Sequence, residues 1–132
     1  QGSKKYLLVD AGFHTLARPV LYGSYHPMTL CPTSTTPPRE LESVAVGGPL
    51  CESGDIFTQE EGGFVSTRDL RPARVGDLLI IEVAGAYGFV MASNYNSKPF
   101  PAEILIDKGS SQLVRARQTA DEIFSGECIP EI

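Results

Sequence analysis

Leu78-Leu79-Ile80-Ile81-Glu82-Val83-Ala84 decides the fold class. It is a short run of branched apolar residues bounded by Gly76 and Gly85. That length and those borders predict a strand, because a helix needs a longer run of 3.6-residue period. The same pattern recurs outward from it. Tyr6-Leu7-Leu8-Val9 reads as a strand, and its lack of alternation predicts burial on both faces. Leu41 to Leu50, Ala102 to Ile106 and Gln112 to Arg117 read as further strands, and Tyr22 to Pro27 as a strand passing into a loop. Ile56-Phe57 resumes apolar character after a polar stretch. Glu60-Glu61-Gly62-Gly63 and Arg71 to Asp77 are turns. His14 to Ala17 reads as a helical turn stopped by Pro19, which leaves Arg18 in a turn. Thr29 to Arg39 is a Pro/Thr/Ser loop, and Thr119 followed by Glu122 predicts a short C-terminal helix. About seven or more short strands predict an all-β fold, a Greek-key barrel or sandwich, as one domain over residues 1–132.

Composition narrows the function. A net charge of −5 argues against nucleic-acid binding, which calls for a basic stripe. No apolar run is long enough to span a bilayer, so no membrane partner is expected. Gln1 to Lys5 leads directly into a strand-like run, so a secretory signal is not expected; with no initiator methionine, the chain reads as a piece of something longer. The cysteines are odd in number (Cys31, Cys51 and Cys128), which fits a reducing cytoplasm. They form no C-x-x-C pair, and His14 and His26 do not cluster with them by spacing, so no metal site is expected. Neither a G-x-G-x-x-G nor a P-loop pattern occurs.

One stretch carries concentrated chemistry. Val44-Ala45-Val46-Gly47-Gly48-Pro49-Leu50 leads into Cys51-Glu52-Ser53-Gly54-Asp55. A strand that ends in Gly-Gly-Pro and then presents a thiol and two carboxylates places polar groups at a sheet edge or loop. Taken alone, the same letters also suit a buried cysteine followed by a solvated acidic turn.

Four stretches in order resemble diaminopimelate decarboxylases, pyridoxal-phosphate enzymes of the alanine-racemase-like fold type. They are Val9-Asp10-Ala11-Gly12; Arg18-Pro19-Val20-Leu21-Tyr22-Gly23-Ser24-Tyr25-His26; Gly48 to Asp55; and Gly85-Ala86-Tyr87-Gly88 with Met91 to Asn96. The likeness runs from about Tyr6 to Thr119 and implies the C-terminal β domain of such an enzyme. The family's α/β barrel, which carries the Schiff-base lysine and most of the phosphate site, is absent from this chain.

The resemblance implies roles residue by residue. Decarboxylation on pyridoxal phosphate leaves an electron pair that the ring takes up, and a proton must then reach that carbon. The cysteine at the position of Cys51 supplies it in the family, across a homodimer interface. Glu52 corresponds to the glutamate that holds the substrate's distal ammonium. Arg18 and Tyr22 correspond to the pair that clamps the distal carboxylate of diaminopimelate, a group that ornithine and lysine lack. Tyr87 corresponds to a tyrosine lying against the cofactor near its phosphate. Asp55 is expected to order its loop, and Asn94 and Tyr95 receive no role.

Lys4, Lys5, Lys98 and Lys108 are the only lysines, and none matches the Schiff-base position. The chain alone is therefore expected to be inactive, and its bared apolar faces are expected to self-associate. Two alternatives stand beside this reading. One is the same domain of a sibling decarboxylase of the ornithine, arginine or carboxynorspermidine type. The other is a non-catalytic module that keeps the fold.

Overall fold

The computed structural model describes residues 3–34 and 40–131. It divides into two compact units, Gln1–Ala92 and Ser93–Ile132. The first contains strands β1 (Lys5–Leu8), β2 (Met28–Cys31), β3 (Glu42–Gly47), β4 (Gln59–Glu60), β5 (Phe64–Val65), β6 (Arg68–Leu70) and β7 (Leu78–Ile81), with helix α1 (Arg18–Tyr22). The second contains β8 (Glu103–Asp107), β9 (Ser110–Arg115) and helix α2 (Ala120–Phe124).

The strand-rich class agrees with the sequence. Its arrangement is one three-stranded sheet, β1-β3-β6, and the two-stranded pairs β2-β7, β4-β5 and β8-β9. Closure into a barrel is not found among the described residues. β3 is central: β1 runs parallel to it, with Lys5 opposite Val44 and Leu8 opposite Gly47, and β6 runs antiparallel on its other side.

β3 is also the core of the first unit. Val44 and Val46 pack with Leu16, Phe57 and Leu70, and Leu7, Val9, Met28, Leu79 and Ile81 pack around them. Val46 is fully buried, and a side chain of that size contributes about 2 kcal/mol when removed from water. Thr58 reaches into the same layer, its hydroxyl accepting from Val46 N at 2.9 Å. A buried hydroxyl needs such a partner.

Several expectations need correction. β1 is not buried on both faces: Tyr6 and Leu8 are exposed, and only Leu7 is half-buried. One face of the run meets the core, where Leu7 and Val9 pack, and the other, carrying Tyr6 and Leu8, stays exposed. Pro19 does not stop a helix but opens one. A helix's first amides have no intrahelical acceptor, so a proline there costs no hydrogen bond. No strand forms over Tyr22 to Pro27, because α1 occupies its start and Gly23 turns the chain away. The loop expected over Thr29 to Arg39 begins as strand β2, where Thr29 pairs with Ile80. Residues 35–39 of that reading, like Gln1 and Gly2, lie outside the described residues.

Gly23 ends α1 in the left-handed region (φ 61°), its amide donating back to Pro19 O at 2.9 Å. A Cβ there would stand 2.0 Å from Glu61 N. Gly23→Ala is therefore expected to lower stability by ~3 kcal/mol, combining a strained φ with a collision against backbone. A urea midpoint within error of the parent would refute this.

In the second unit, β8 and β9 form a hairpin in which Arg115 pairs with Glu103. None of the described residues of this unit is buried. α2 carries the expected capping box: Thr119 Oγ1 accepts from Glu122 N, and Glu122 Oε2 accepts from Thr119 N. These bonds from Thr119 favour the ionised form and hold the Glu122 carboxyl below the ordinary glutamate range. A depressed carboxylate stabilises at pH above its unfolded pKa and loses that contribution as pH falls through its folded value. The first turn of α2 is thus expected to fray on acidification below the ordinary glutamate range, visible as faster exchange of the Glu122 amide. An unchanged exchange rate, after correction for intrinsic pH dependence, would count against it.

Candidate active-site edge

The parallel register of β1 and β3 sets the geography. Their C-terminal ends lie side by side, with Leu8 opposite Gly47. The chain leaving β1 leads into α1, and the chain leaving β3 becomes the Gly48–Asp55 loop. A Cβ placed on Gly54 would stand 3.5 Å from Val20 Cγ2, so this loop lies against α1.

α1 brings Arg18 and Tyr22 onto one helix face, as residues four apart must be. The Arg18 guanidinium carbon is 5.8 Å from the Tyr22 ring centre and 5.3 Å from that of Tyr87. Arg18 Nη2 also donates to Ser24 Oγ at 3.4 Å. One cation thus sits between two phenol rings, at distances where the ring quadrupole attracts it. Three of the five residues singled out in the sequence converge here. Tyr22 and Tyr87 remain largely exposed, at 57% each, so both hydroxyl-bearing rings offer surface to a ligand.

Tyr87 is held in an unusual way. Its φ is 63°, and Val83 at the start of the same turn has φ 55°. Side chains with a Cβ, and β-branched ones above all, avoid this region at a cost of order 1 kcal/mol each. The base of the turn is clamped at Glu82. Glu82 N donates to Pro27 O at 2.8 Å, His26 Nδ1 lies 3.1 Å from Glu82 O, and Thr29 Oγ1 donates to the Glu82 carboxylate. A carbonyl only accepts, so His26 Nδ1 is the donor in this bond. His26 is buried, and the sequence reading gave it no part in the site. A side-chain bond to a backbone atom 56 positions away leaves no local pattern to find.

Cys51 and Glu52 are exposed on the loop after β3. Glu52 Oε1 accepts from Gly54 N at 3.2 Å and from Ser53 Oγ at 3.3 Å. Gln59 fixes the loop's exit, its Nε2 donating to Gly54 O at 3.0 Å and Ile56 O at 2.7 Å. Asp55 is the buried member of the motif, at 3% exposure. In the second unit, Asn94 Nδ2 donates to Lys98 O at 2.9 Å and to Gln118 Oε1 at 2.6 Å, so it organises its own turn. Tyr95 lies in the adjoining 3₁₀ turn, Tyr95–Ser97.

Lys4 Nζ donates to Val65 O at 2.6 Å, and Lys5 pairs with Glu42. Lys98 and Lys108 belong to the second unit. None is on α1, the Cys51 loop or the Tyr87 turn. Arg18 with the rings of Tyr22 and Tyr87 has the chemistry of one edge of a pyridoxal-phosphate site, a cation beside aromatic rings, without the lysine of its covalent anchor. No group of three or more possible metal ligands occurs among the described residues. No helix among them is long and apolar enough to cross a membrane.

Comparison with known proteins bears on what this edge serves. Residues 1–85 match the family described as pyridoxal-dependent decarboxylase, C-terminal sheet domain. Diaminopimelate decarboxylase of Escherichia coli K12 is 47% identical over 133 aligned residues, covering 97% of this chain and 31% of that protein. The Streptomyces coelicolor enzyme of the same name is 43% identical, covering 98% of this chain and 30% of its own length. Among solved structures, a diaminopimelate decarboxylase superposes with a TM-score of 0.89 at 46% identity, over 95% of this chain and 30% of that one. The M. jannaschii enzyme, determined in co-complex with L-lysine, gives 0.82 at 33% identity, over 98% of this chain and 28% of that one. The chain therefore spans about a third of the length of the relatives it matches.

Proposed function

This chain belongs to the C-terminal sheet-domain family of pyridoxal-dependent decarboxylases, and from that premise we propose that it completes the active site of a diaminopimelate decarboxylase. The reaction would convert meso-2,6-diaminopimelate to L-lysine and carbon dioxide, in lysine biosynthesis. The whole chain would act as one domain, since the relatives align across 97% of it. The α/β barrel of the same enzyme would be its partner and would supply the Schiff-base lysine; the chain alone would not turn over substrate. Pyridoxal phosphate supplies the electron sink that makes loss of carbon dioxide possible.

The residues of this chain divide the remaining work. Arg18 and Tyr22 hold the distal carboxylate, the guanidinium through paired hydrogen bonds and the phenol through one more. Glu52 holds the distal ammonium. Cys51 Sγ delivers a proton to the carbon that has lost its carboxylate. Tyr87 would help to hold the cofactor on its phosphate side. Cys51 would act across the interface of a homodimer, so each site draws on both subunits. The compartment we infer is the cytoplasm, where an odd number of cysteines and a working thiol stay reduced.

The observation that carries this reading is Arg18 set between the rings of Tyr22 and Tyr87. A fixed cation among phenols suits an anionic substrate tail. A decarboxylase for ornithine or lysine has no such tail to hold. The test is a substrate panel on the full-length, cofactor-loaded enzyme. Diaminopimelate should be consumed with release of carbon dioxide and lysine, and ornithine and arginine left unchanged. Preference for either of the latter would overturn the proposal.

A further inference from the structure

The Gly48–Asp55 loop is tied by one side chain. Asp55 Oδ2 accepts from Leu50 N and Asp55 Oδ1 from Phe13 N, both at 2.8 Å. Its backbone does the same in both directions: Gly48 N donates to Asp55 O at 2.8 Å, and Asp55 N donates to Glu52 O at 3.1 Å. A single residue therefore bonds the loop's entry, its tip and the neighbouring segment that follows β1. The fit is close. A Cβ on Gly48 would stand 2.2 Å from Asp55 Oδ2 and 2.7 Å from Ala11 O.

A carboxylate is a costly group to place here unless both oxygens are bonded, which they are. Leu50, whose amide Asp55 holds, is buried at 8% and directly precedes Cys51. Cys51 itself is exposed. The backbone one residue away, which Asp55 bonds, limits where it can sit. We infer that Asp55 is the positioning residue of the thiol loop, fixing Cys51 Sγ where it can give up its proton. This rests on the proposed role of Cys51, and Asp55, buried within the loop, would act only through it.

The full-length, cofactor-loaded enzyme carrying Asp55→Asn tests it. Asparagine keeps the size and one acceptor but presents an NH₂ where an amide N–H must be accepted. Expected is a fall in kcat of roughly 30-fold, the scale of a displaced reacting group. Amide exchange should rise by at least about tenfold in 48–55 and 10–15 while β3 keeps its protection, as for a local opening. Iodoacetamide should also label Cys51 several-fold faster, since the proposed subunit interface would cover the thiol in the full-length enzyme and a loosened loop would uncover it more often. Val46→Ala is the control, a core truncation that lowers Tm without touching the loop, and it should keep kcat within about threefold. Asp55→Glu, which keeps the charge and moves it by one methylene, should show the same pattern at smaller size and serves if the asparagine variant does not fold.

Wild-type exchange in 48–55 together with wild-type kcat in these variants would overturn the inference. So would an equal loss of kcat in Val46→Ala at matched Tm. The underlying reading fails separately: if Cys51→Ala keeps its kcat, the thiol is not the acid. The exchange and labelling results would still decide whether Asp55 fixes the loop.

Discussion

Cys51→Ala in the full-length enzyme is expected to lower kcat by ~10³-fold, within the range that loss of a positioned proton donor produces. KM for diaminopimelate should move little. The bonds that shape Gly48–Asp55 come from Asp55, Glu52, Gln59 and backbone atoms. Alanine removes the thiol and is expected to leave these bonds in place. What remains is slow protonation by water. Cys51→Ser should fall between the two, since a hydroxyl occupies the same place but is a far weaker acid than a thiol. Steady-state kinetics decides the matter. A kcat within about threefold of the parent in the alanine variant would remove Cys51 from the chemistry.

The second large effect is expected at Arg18. Arg18→Ala should reduce kcat/KM for diaminopimelate by ~10²-fold, the equivalent of one charge-assisted, two-pronged carboxylate contact. Most of that loss should appear in KM, because the clamp grips the substrate end remote from the bond that breaks. Arg18→Lys keeps the charge but not the planar fork, so it should recover only part of the loss. Tyr22→Phe should cost less than either, as it removes a single hydroxyl. The discriminating comparison uses a substrate without the distal carboxylate. Its weak turnover should be unaffected by Arg18→Ala, and an equal proportional loss for both substrates would show that Arg18 supports structure and not recognition.

Different parts of this molecule were legible in the sequence for different reasons. The thiol loop could be read because Gly47-Gly48-Pro49 ends a strand by local chemistry alone. The α2 cap was equally local, Thr119 and Glu122 being three residues apart. Pro19 was ambiguous in principle, since proline both stops a helix that precedes it and suits the first turn of one that follows. The choice between them came from Gly23, whose left-handed conformation closes a helix begun at Arg18. The apolar run Tyr6 to Val9 suggests burial on both faces because sequence records hydrophobicity and not which layer stands opposite. Convergence of Arg18, Tyr22 and Tyr87 depends on a turn 65 residues beyond Tyr22, which no spacing rule reaches. Gln59 and His26 were missed for a related reason. Their bonds go to backbone carbonyls, which every residue carries, so no pair of letters betrays them.

Parallel pairing of β1 with β3 mounts the two halves of this edge on neighbouring strands. α1 follows one strand and the thiol loop follows the other, both at the same end of the sheet. The halves are stitched together where they meet, since Asp55 accepts from Phe13 N and the loop stands against Val20. The segment that would read the substrate's tail can therefore vary at Arg18 and Tyr22, while its root near Phe13 must stay matched to the loop that would deliver the proton. The sheet would serve as a fixed jig, and the Asp55 seam would limit what can be swapped on it.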